Sequence, residues 1–371
     1  MKGKSTGAVY TIAGAMSGTS MDGVDVAVIE TDGVDVWEFG LTAFRAYRAD
    51  EKAVLKQAQG RWPGEPGVAE AAAVVERAHA EAMAGTHGIV ALGFHGQTLA
   101  HDPNQSRTHQ VGDGGRLSDK LGLPVVWDFR TADMGLGGQG APLAPFYHWA
   151  LARRIRASEP IAFLNLGGVG NLTWVDPLAA APDADGALLA FDTGPANAPM
   201  DDLLEERGAG AMDQDGALTD AGTADAGGVE EFLKDRHFSH VPPKSLDRNS
   251  FPYLVPALVG LSTQDALATI AGCAAGAVAR GFDFLPAVPE RVLVTGGGRH
   301  NAGLMRALRA VLPCQVGPVE DAGLDGDALE AQAFAYLAAR VALGLTTSAP
   351  GTTGVAAPVG GGQISGYLSL R

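Results

Sequence analysis

The segment Met16-Ser17-Gly18-Thr19-Ser20-Met21-Asp22-Gly23-Val24-Asp25 gathers small, hydroxyl-bearing and acidic residues at the lip of an apolar run. Gly18 and Gly23 can take positive φ and bring backbone close to a ligand. Thr19 and Ser20 add hydroxyls, and successive N–H groups in such a turn can form an anion-binding nest. Asp22 and Asp25 would repel a bare phosphate. They make sense where a divalent cation or its water shell lies between them and the phosphates. The same residues also describe a polar hairpin turn with an Asx-type bond from Asp22.

Two further glycine turns invite the same question. Asn165-Leu166-Gly167-Gly168-Val169-Gly170-Asn171 follows an apolar run and leads into another extended run, so it is a hairpin lip and not a dinucleotide fingerprint. Thr295-Gly296-Gly297-Gly298 lies between a buried strand and a helical segment, where glycines admit a flat group or a phosphate; a plain strand–helix connection is the alternative. By contrast, Gly3-Lys4-Ser5-Thr6 only imitates a Walker-type loop, because no strand or earlier glycine precedes it.

Acids and bases at strand ends supply candidate reacting groups. In Phe191-Asp192-Thr193-Gly194-Pro195, Asp192 stands where it could accept a proton from a hydroxyl or water, or else cap the next segment. His95-Gly96-Gln97-Thr98 and Asp128-Phe129-Arg130 end two other strands in polar groups. Arg130 could grip a substrate carboxylate bidentately or form an ordinary ion pair. Asp327-Ala328-Leu329-Glu330 fits a capping box with Asp at the N-cap, yet Glu330 could also face a cleft. His79, His87, His95, His101 and His109 recur at intervals of six or eight, which is not zinc-ligand spacing.

These residues need a scaffold. The chain has 371 residues, 46% apolar and 19% charged, which predicts a globular protein of two domains. A net charge of −15 argues against a nucleic-acid or anionic-membrane surface but not against an anionic small ligand held by backbone N–H groups. Cys273 and Cys314 read as free thiols of a reducing compartment. No leader segment or membrane span stands out, so a soluble cytoplasmic protein is expected.

Extended sequence is expected over residues 8–16, 24–30, 34–41, 88–94 and 124–128, with helices at 51–59 and 68–84. The pattern restarts with strands at 161–166, 172–175, 188–192 and 291–295, and helices at 198–207, 264–280 and 327–343. Strands followed by helices, twice, predict two α/β lobes around a cleft, with the boundary in the glycine-rich segment 133–145. The lobes are drawn as residues 1–135 and 136–371, with the tail able to pack back on the first lobe.

The MSGTSMDGVD block, with His95-Gly96-Gln97-Thr98, Gln110-Val111-Gly112-Asp113-Gly114, Asp128-Phe129-Arg130, Gly137-Gly138-Gln139-Gly140-Ala141-Pro142-Leu143, Asn165-Leu166-Gly167-Gly168, FDTGP at 191–195 and Thr295-Gly296-Gly297-Gly298, resembles the anhydro-N-acetylmuramic acid kinase family over nearly the whole chain. The resemblance implies two duplicated actin/hexokinase-like lobes, each a mixed sheet with flanking helices, around a nucleotide cleft. It implies ATP and Mg²⁺ as cofactors, with Asp192 as catalytic base. Gly18, Thr19, Ser20, Met21, Asp22, Gly23, Val24 and Asp25 would form one phosphate turn. Gly167, Gly168 and Asn171 would form the second, and Gly296, Gly297 and Gly298 would lie near the nucleoside. Gln97, Thr98, Arg130 and Glu330 would lie near the sugar, and Asp22 and Asp25 would reach the metal through water. The implied reaction turns 1,6-anhydro-N-acetylmuramic acid, ATP and water into N-acetylmuramic acid 6-phosphate and ADP, in cell-wall recycling, by a protein that is plausibly a homodimer. The rival readings are an ATP-dependent kinase of another sugar or small acid, and a non-enzymatic ATP-driven switch. The sequence departs from the family at Ala196, where glycine is common, in a longer loop at 177–186, and in a tail without a clear closing strand.

Overall fold

The computed structural model describes residues 7–18 and 20–370; the Gly3–Thr6 decoy and the candidate Thr19 lie outside the described residues. In chain order the strands are β1 (Tyr10–Ser17), β2 (Gly23–Thr31), β3 (Val36–Ala46), β4 (Ala91–Asp102), β5 (Arg107–Val111) and β6 (Val125–Trp127). They continue with β7 (Ile161–Leu166), β8 (Val169–Val175), β9 (Leu188–Pro195), β10 (Arg291–Thr295), β11 (Gln315–Pro318) and β12 (Gln363–Ser365). The chain forms two compact units. The first holds residues 1–154, 180–184 and 327–371, and the second holds 155–179 and 185–326. The junction expected at 135/136 therefore falls inside the first unit. The reason is the helix Pro145–Arg154, whose residues from Pro145 to Ala152 are all buried, so the chain cannot part there.

Each unit has a mixed sheet with helices, and the two sheets share one plan. In the first, the order is β12-β6-β4-β1-β2-β3, with β5 paired to β4. In the second, it is β11-β10-β7-β8-β9. In both, a three-strand antiparallel meander is followed by two strands that add in parallel on its first strand's side. Most positions of β2 and β8 are buried, because successive side chains point to opposite faces of the sheet and both faces are covered. β4 runs longer than its sequence signal. β4 continues to Asp102 because β5, which carries too few apolar residues to announce itself, pairs with it. The tail does contain a closing strand, β12, paired antiparallel with β6.

The first unit is tied together by an unusually close helix–sheet contact. Gly14 of β1 and Gly93 of β4 are register partners on adjacent parallel strands. A Cβ at Gly14 would overlap the Ala331 carbonyl oxygen, and one at Gly93 the Phe334 carbonyl oxygen. The helix Leu329–Ala342 thus lays its own backbone into a groove that only two glycines can make, and its alanine density lets it do so. In the second unit the helix Thr263–Gly281 plays the comparable part, burying Ala266, Ala271, Ala274, Ala277 and Val278 in a core with Phe191, Leu164 and Val292.

Asp327 is not the N-cap that the expected capping box at residues 327–330 requires. The helix N-cap is Ala328, with no side-chain cap, so Glu330 sits at the second helical position and not the third. Cys273 is buried, Cys314 partly so, and both are free. Among the described residues no helix is long and apolar enough to cross a membrane.

Gly93→Ala is expected to destabilise the protein at the upper end of the ~1–3 kcal/mol typical of overpacking, because the colliding group is helix backbone and cannot yield. Gly260→Ala, where nothing lies within 4 Å, serves as the control. Urea unfolding midpoints check the pair, and equal midpoints would refute the contact.

Candidate active site

In the first unit the carboxyl end of β1 lies beside the middle of β4, and their polar residues interlock. Ser17 is buried, with Oγ donating to Gln97 Oε1 at 2.5 Å and lying 3.1 Å from Tyr47 OH. Gln97, fully buried, donates from Nε2 to Gly18 O at 3.1 Å. A backbone bond of 3.0 Å from Met21 N–H to Gly18 O closes the turn, and Met21 takes a positive φ of 57°. Gln97, expected near the sugar, therefore engages the Ser17–Gly18 turn with both ends of its amide. That role was invisible in sequence, because nothing in residue 97 announces that residues 17 and 18 will stand beside it.

Asp22 is exposed and lies 3.6 Å from Lys52 Nζ, while Asp25 pairs in register with Met16. Gly23 and Val24 are buried at the start of β2. Among the described residues no group of three or more His, Cys, Asp or Glu is placed to hold a metal. The exposed carboxylate of Asp22 has the oxygen-donor chemistry that the water shell of a hard divalent cation accepts.

Arg130 sits at the end of the β6 segment. Its Nη1 donates to Gly140 O at 2.7 Å, and its Nη2 lies 3.0 Å from His95 Nε2. A guanidinium only donates, so His95 Nε2 must accept, and Nδ1 carries the proton that goes to Gly96 O at 2.9 Å. Burial, then the Arg130 charge, holds the His95 pKa well below the ordinary histidine range, which keeps that acceptor neutral. Arg130 itself is pushed down to about 10 by burial, against the opposing fields of Glu330 and Asp133, and stays charged at neutral pH. Its Nε is buried without a hydrogen-bond partner among the described residues. Asp133 is occupied elsewhere, accepting from Gly140 N at 2.7 Å, Ser348 Oγ at 2.5 Å and Thr353 Oγ1 at 2.6 Å. The first unit thus brings Arg130 and Glu330 within each other's field and leaves the Arg130 Nε without a hydrogen-bond partner among the described residues. Thr98 accepts from Gln110 Nε2 at 3.2 Å.

In the second unit two glycine turns meet. Thr295 of β10 is the register partner of Asn165 of β7, so the turns at Gly167–Gly168 and Gly296–Gly298 leave neighbouring strand ends. A Cβ at Gly298 would lie 2.5 Å from Leu166 Cβ, and Gly296, at φ 74°, leaves no room beside Asn165 and Leu166. The Gly167–Gly168 turn is clamped by backbone bonds from Asn197 N to Gly167 O at 2.9 Å and from Ala196 N to Gly168 O at 3.2 Å. The carboxyl ends of parallel strands are where α/β sheets take ligands.

Asp192 lies within β9 and caps no helix. Its Oδ1 accepts from Asn171 Nδ2 at 2.8 Å, and its Oδ2 from Leu246 N–H at 2.8 Å. Asn171, expected among the ATP residues, gives one of its two amide N–H donors to the acid. Burial pushes the Asp192 pKa above the ordinary carboxylate range, and the Asn171 and Leu246 donors oppose it. The result is a carboxylate with two fixed donors and an enhanced affinity for a proton. Leu246 contributes only backbone, so no residue type could have flagged it. Asn171 was legible as a polar residue but not as the partner of Asp192.

Residues 10–366 match the family model described as anhydro-N-acetylmuramic acid kinase. The chain is 61% identical over 353 residues to a protein of Jannaschia sp. (strain CCS1) named anhydro-N-acetylmuramic acid kinase 1, covering 95% of this chain and 94% of that one. It is 60% identical over 359 residues to the anhydro-N-acetylmuramic acid kinase of Cereibacter sphaeroides, covering 97% and 96%. It is 58% identical over 352 residues to that of Ruegeria sp. (strain TM1040), covering 95% and 94%. By the span and identity of these matches, the chain belongs to the anhydro-N-acetylmuramic acid kinase family.

Proposed function

We propose that this protein phosphorylates 1,6-anhydro-N-acetylmuramic acid with ATP while water opens the anhydro ring, giving N-acetylmuramic acid 6-phosphate and ADP in cell-wall recycling. Family membership supports the substrate. The observation that carries the chemistry is Asp192, fixed by Asn171 and Leu246 and raised in proton affinity by burial. O6 of the anhydro sugar carries no proton, so the acid cannot be there to activate a hydroxyl. Water attacks C1, the C1–O6 bond breaks, O6 takes the γ-phosphoryl group, and Asp192 takes the proton of the water.

Gly18 to Asp25 supply one phosphate-facing turn in this reading, Thr19 included. Gly167, Gly168 and Gly296 to Gly298 supply the other, with the last three beside the nucleoside. Magnesium, when bound, neutralises charge on the β- and γ-phosphates, and Asp22 and Asp25 would hold it through water. Arg130, with its unspent Nε, would take the lactyl carboxylate, and Thr98 and Glu330 would border the sugar. Gln97 would act on the site through the Ser17–Gly18 turn. From the family we carry forward a cytoplasmic location and a homodimer.

Incubation with the anhydro sugar, ATP and Mg²⁺ in ¹⁸O-labelled water is expected to place one solvent oxygen at C1 of the 6-phosphate, read by mass spectrometry. A folded, ATP-binding protein that makes no such product would sink the proposal. Asp192→Asn is expected to lower kcat about 10²–10⁴-fold with nucleotide affinity retained. A base must be unprotonated, and burial raises the Asp192 pKa. Activity is therefore expected to fall, as the pH drops, above the ordinary carboxylate range, and an acid limb in kcat/KM below pH ~4 would contradict the assignment. Arg130→Lys, which keeps the charge but loses the fork, is expected to raise KM for the sugar by roughly 10–100-fold with KM for ATP unchanged.

A further inference from the structure

Lys244 is 8% exposed, and its ammonium has no carboxylate partner among the described residues. Its Nζ donates to His237 O at 3.2 Å and stands over the rings of Phe284 at 4.5 Å and Phe191 at 5.4 Å. A buried lysine held only by a carbonyl and two aromatic faces is uncommon, because an uncompensated charge resists leaving water. Its backbone explains why the position matters. Lys244 O accepts from Asp192 N–H at 3.0 Å, and two residues on, Leu246 N–H donates to the Asp192 carboxylate. At the other end of the same stretch, His237 Nε2 lies 3.3 Å from Asp192 O.

The stretch from His237 to Leu246 therefore meets Asp192 at its carbonyl, its N–H and its carboxylate, and residues 240–246 within it form no regular helix or strand. Lys244 is the tie that closes it, since its side chain reaches back to the His237 carbonyl. Phe191 faces the core and lies next to Asp192 in β9, where neighbouring side chains point to opposite faces, so the ammonium sits on the face away from the carboxylate. We propose that Lys244 is a positioning residue for the Asp192 base: its buried ammonium, clasped by His237 O, Phe191 and Phe284, holds the loop that presents the Leu246 N–H to the carboxylate. The role rests on Asp192 being the base. Among the described residues, the titratable side chains on the stretch that bonds to Asp192 are those of His237, His240 and Lys244.

Lys244→Met removes the charge and keeps the stem. Exchanging a buried charge for an apolar side chain of similar size is often neutral or stabilising, so the melting temperature is expected to hold or rise. Turnover is nevertheless expected to fall about 10–100-fold, and the acid limb of kcat/KM to move up by about one pH unit as Asp192 loses a donor to its charged form. Lys244→Arg is expected to recover most of the turnover and the wild-type limb. In an Asp192→Asn background, Lys244→Met is expected to cost nothing further. Wild-type turnover and pH profile in Lys244→Met would overturn the proposal. So would a parallel loss of stability and activity with an unmoved limb, or a full additive loss on Asp192→Asn. If Lys244→Met does not fold, Lys244→Gln is read by the same limb and the same cycle. Near-normal turnover in Asp192→Asn alone would instead overturn the role of Asp192, so the two failures are distinguishable.

Discussion

The first unit depends on the contact between the Leu329–Ala342 helix and the glycine pair Gly14 and Gly93. Two adjacent parallel strands carry hydrogen where other strands carry a side chain, and helix backbone fills the space. This contact fixes three things together: the end of β1, which delivers Ser17 and Gly18; the middle of β4, which delivers His95, Gln97 and Thr98; and the start of the helix, which delivers Glu330. Phe334, in the same helix, also packs its ring 4.5 Å from His95, so the contact reaches the residue that orients Arg130. A close-packed interior passes a displacement of tenths of an ångström to everything attached to it, and here the attached groups are the candidate ligands.

The second unit reaches a comparable result by other means. Its glycines work at the strand ends and not under a helix: Gly296 and Gly298 press against Asn165 and Leu166, so two turns that are distant in sequence share one edge. Beside that edge, burial raises the proton affinity of Asp192 while Asn171 and Leu246 restrain the rise. A site that must hold an acid ionised, yet ready to take a proton, needs both influences. In the first unit the same economy governs Arg130, where neutral acceptors from His95 and Gly140 orient the guanidinium without spending its charge.

The candidate site was legible in sequence at the level of segments. Glycine turns at the ends of apolar runs, an acid in FDTGP and an arginine after a short strand were visible because residue type alone restricts what such positions can do. The partners were not. Gln97 read as a sugar contact and turned out to brace Ser17 and Gly18. Asn171 read as a phosphate contact and turned out to hold Asp192. The 327–330 segment had the composition of a capping box with Asp327 at the N-cap, but the helix starts at Leu329 with Ala328 in that place. β5 was missed because its pairing with β4, and not its own hydrophobicity, makes it a strand.

The chain's sequence by itself determined the repeated strand-and-helix plan, the places where backbone can approach a ligand, and the residues with chemistry to offer. Those follow from local properties: period, glycine freedom and ionisable groups. Tertiary structure decided which of those residues support others, where the units divide, and how Asp192, Arg130 and His95 are tuned. These are set by burial and by contacts between residues tens to hundreds of positions apart, such as Asn171 with Asp192 or Gly93 with Phe334. No local pattern encodes a neighbour that only folding supplies.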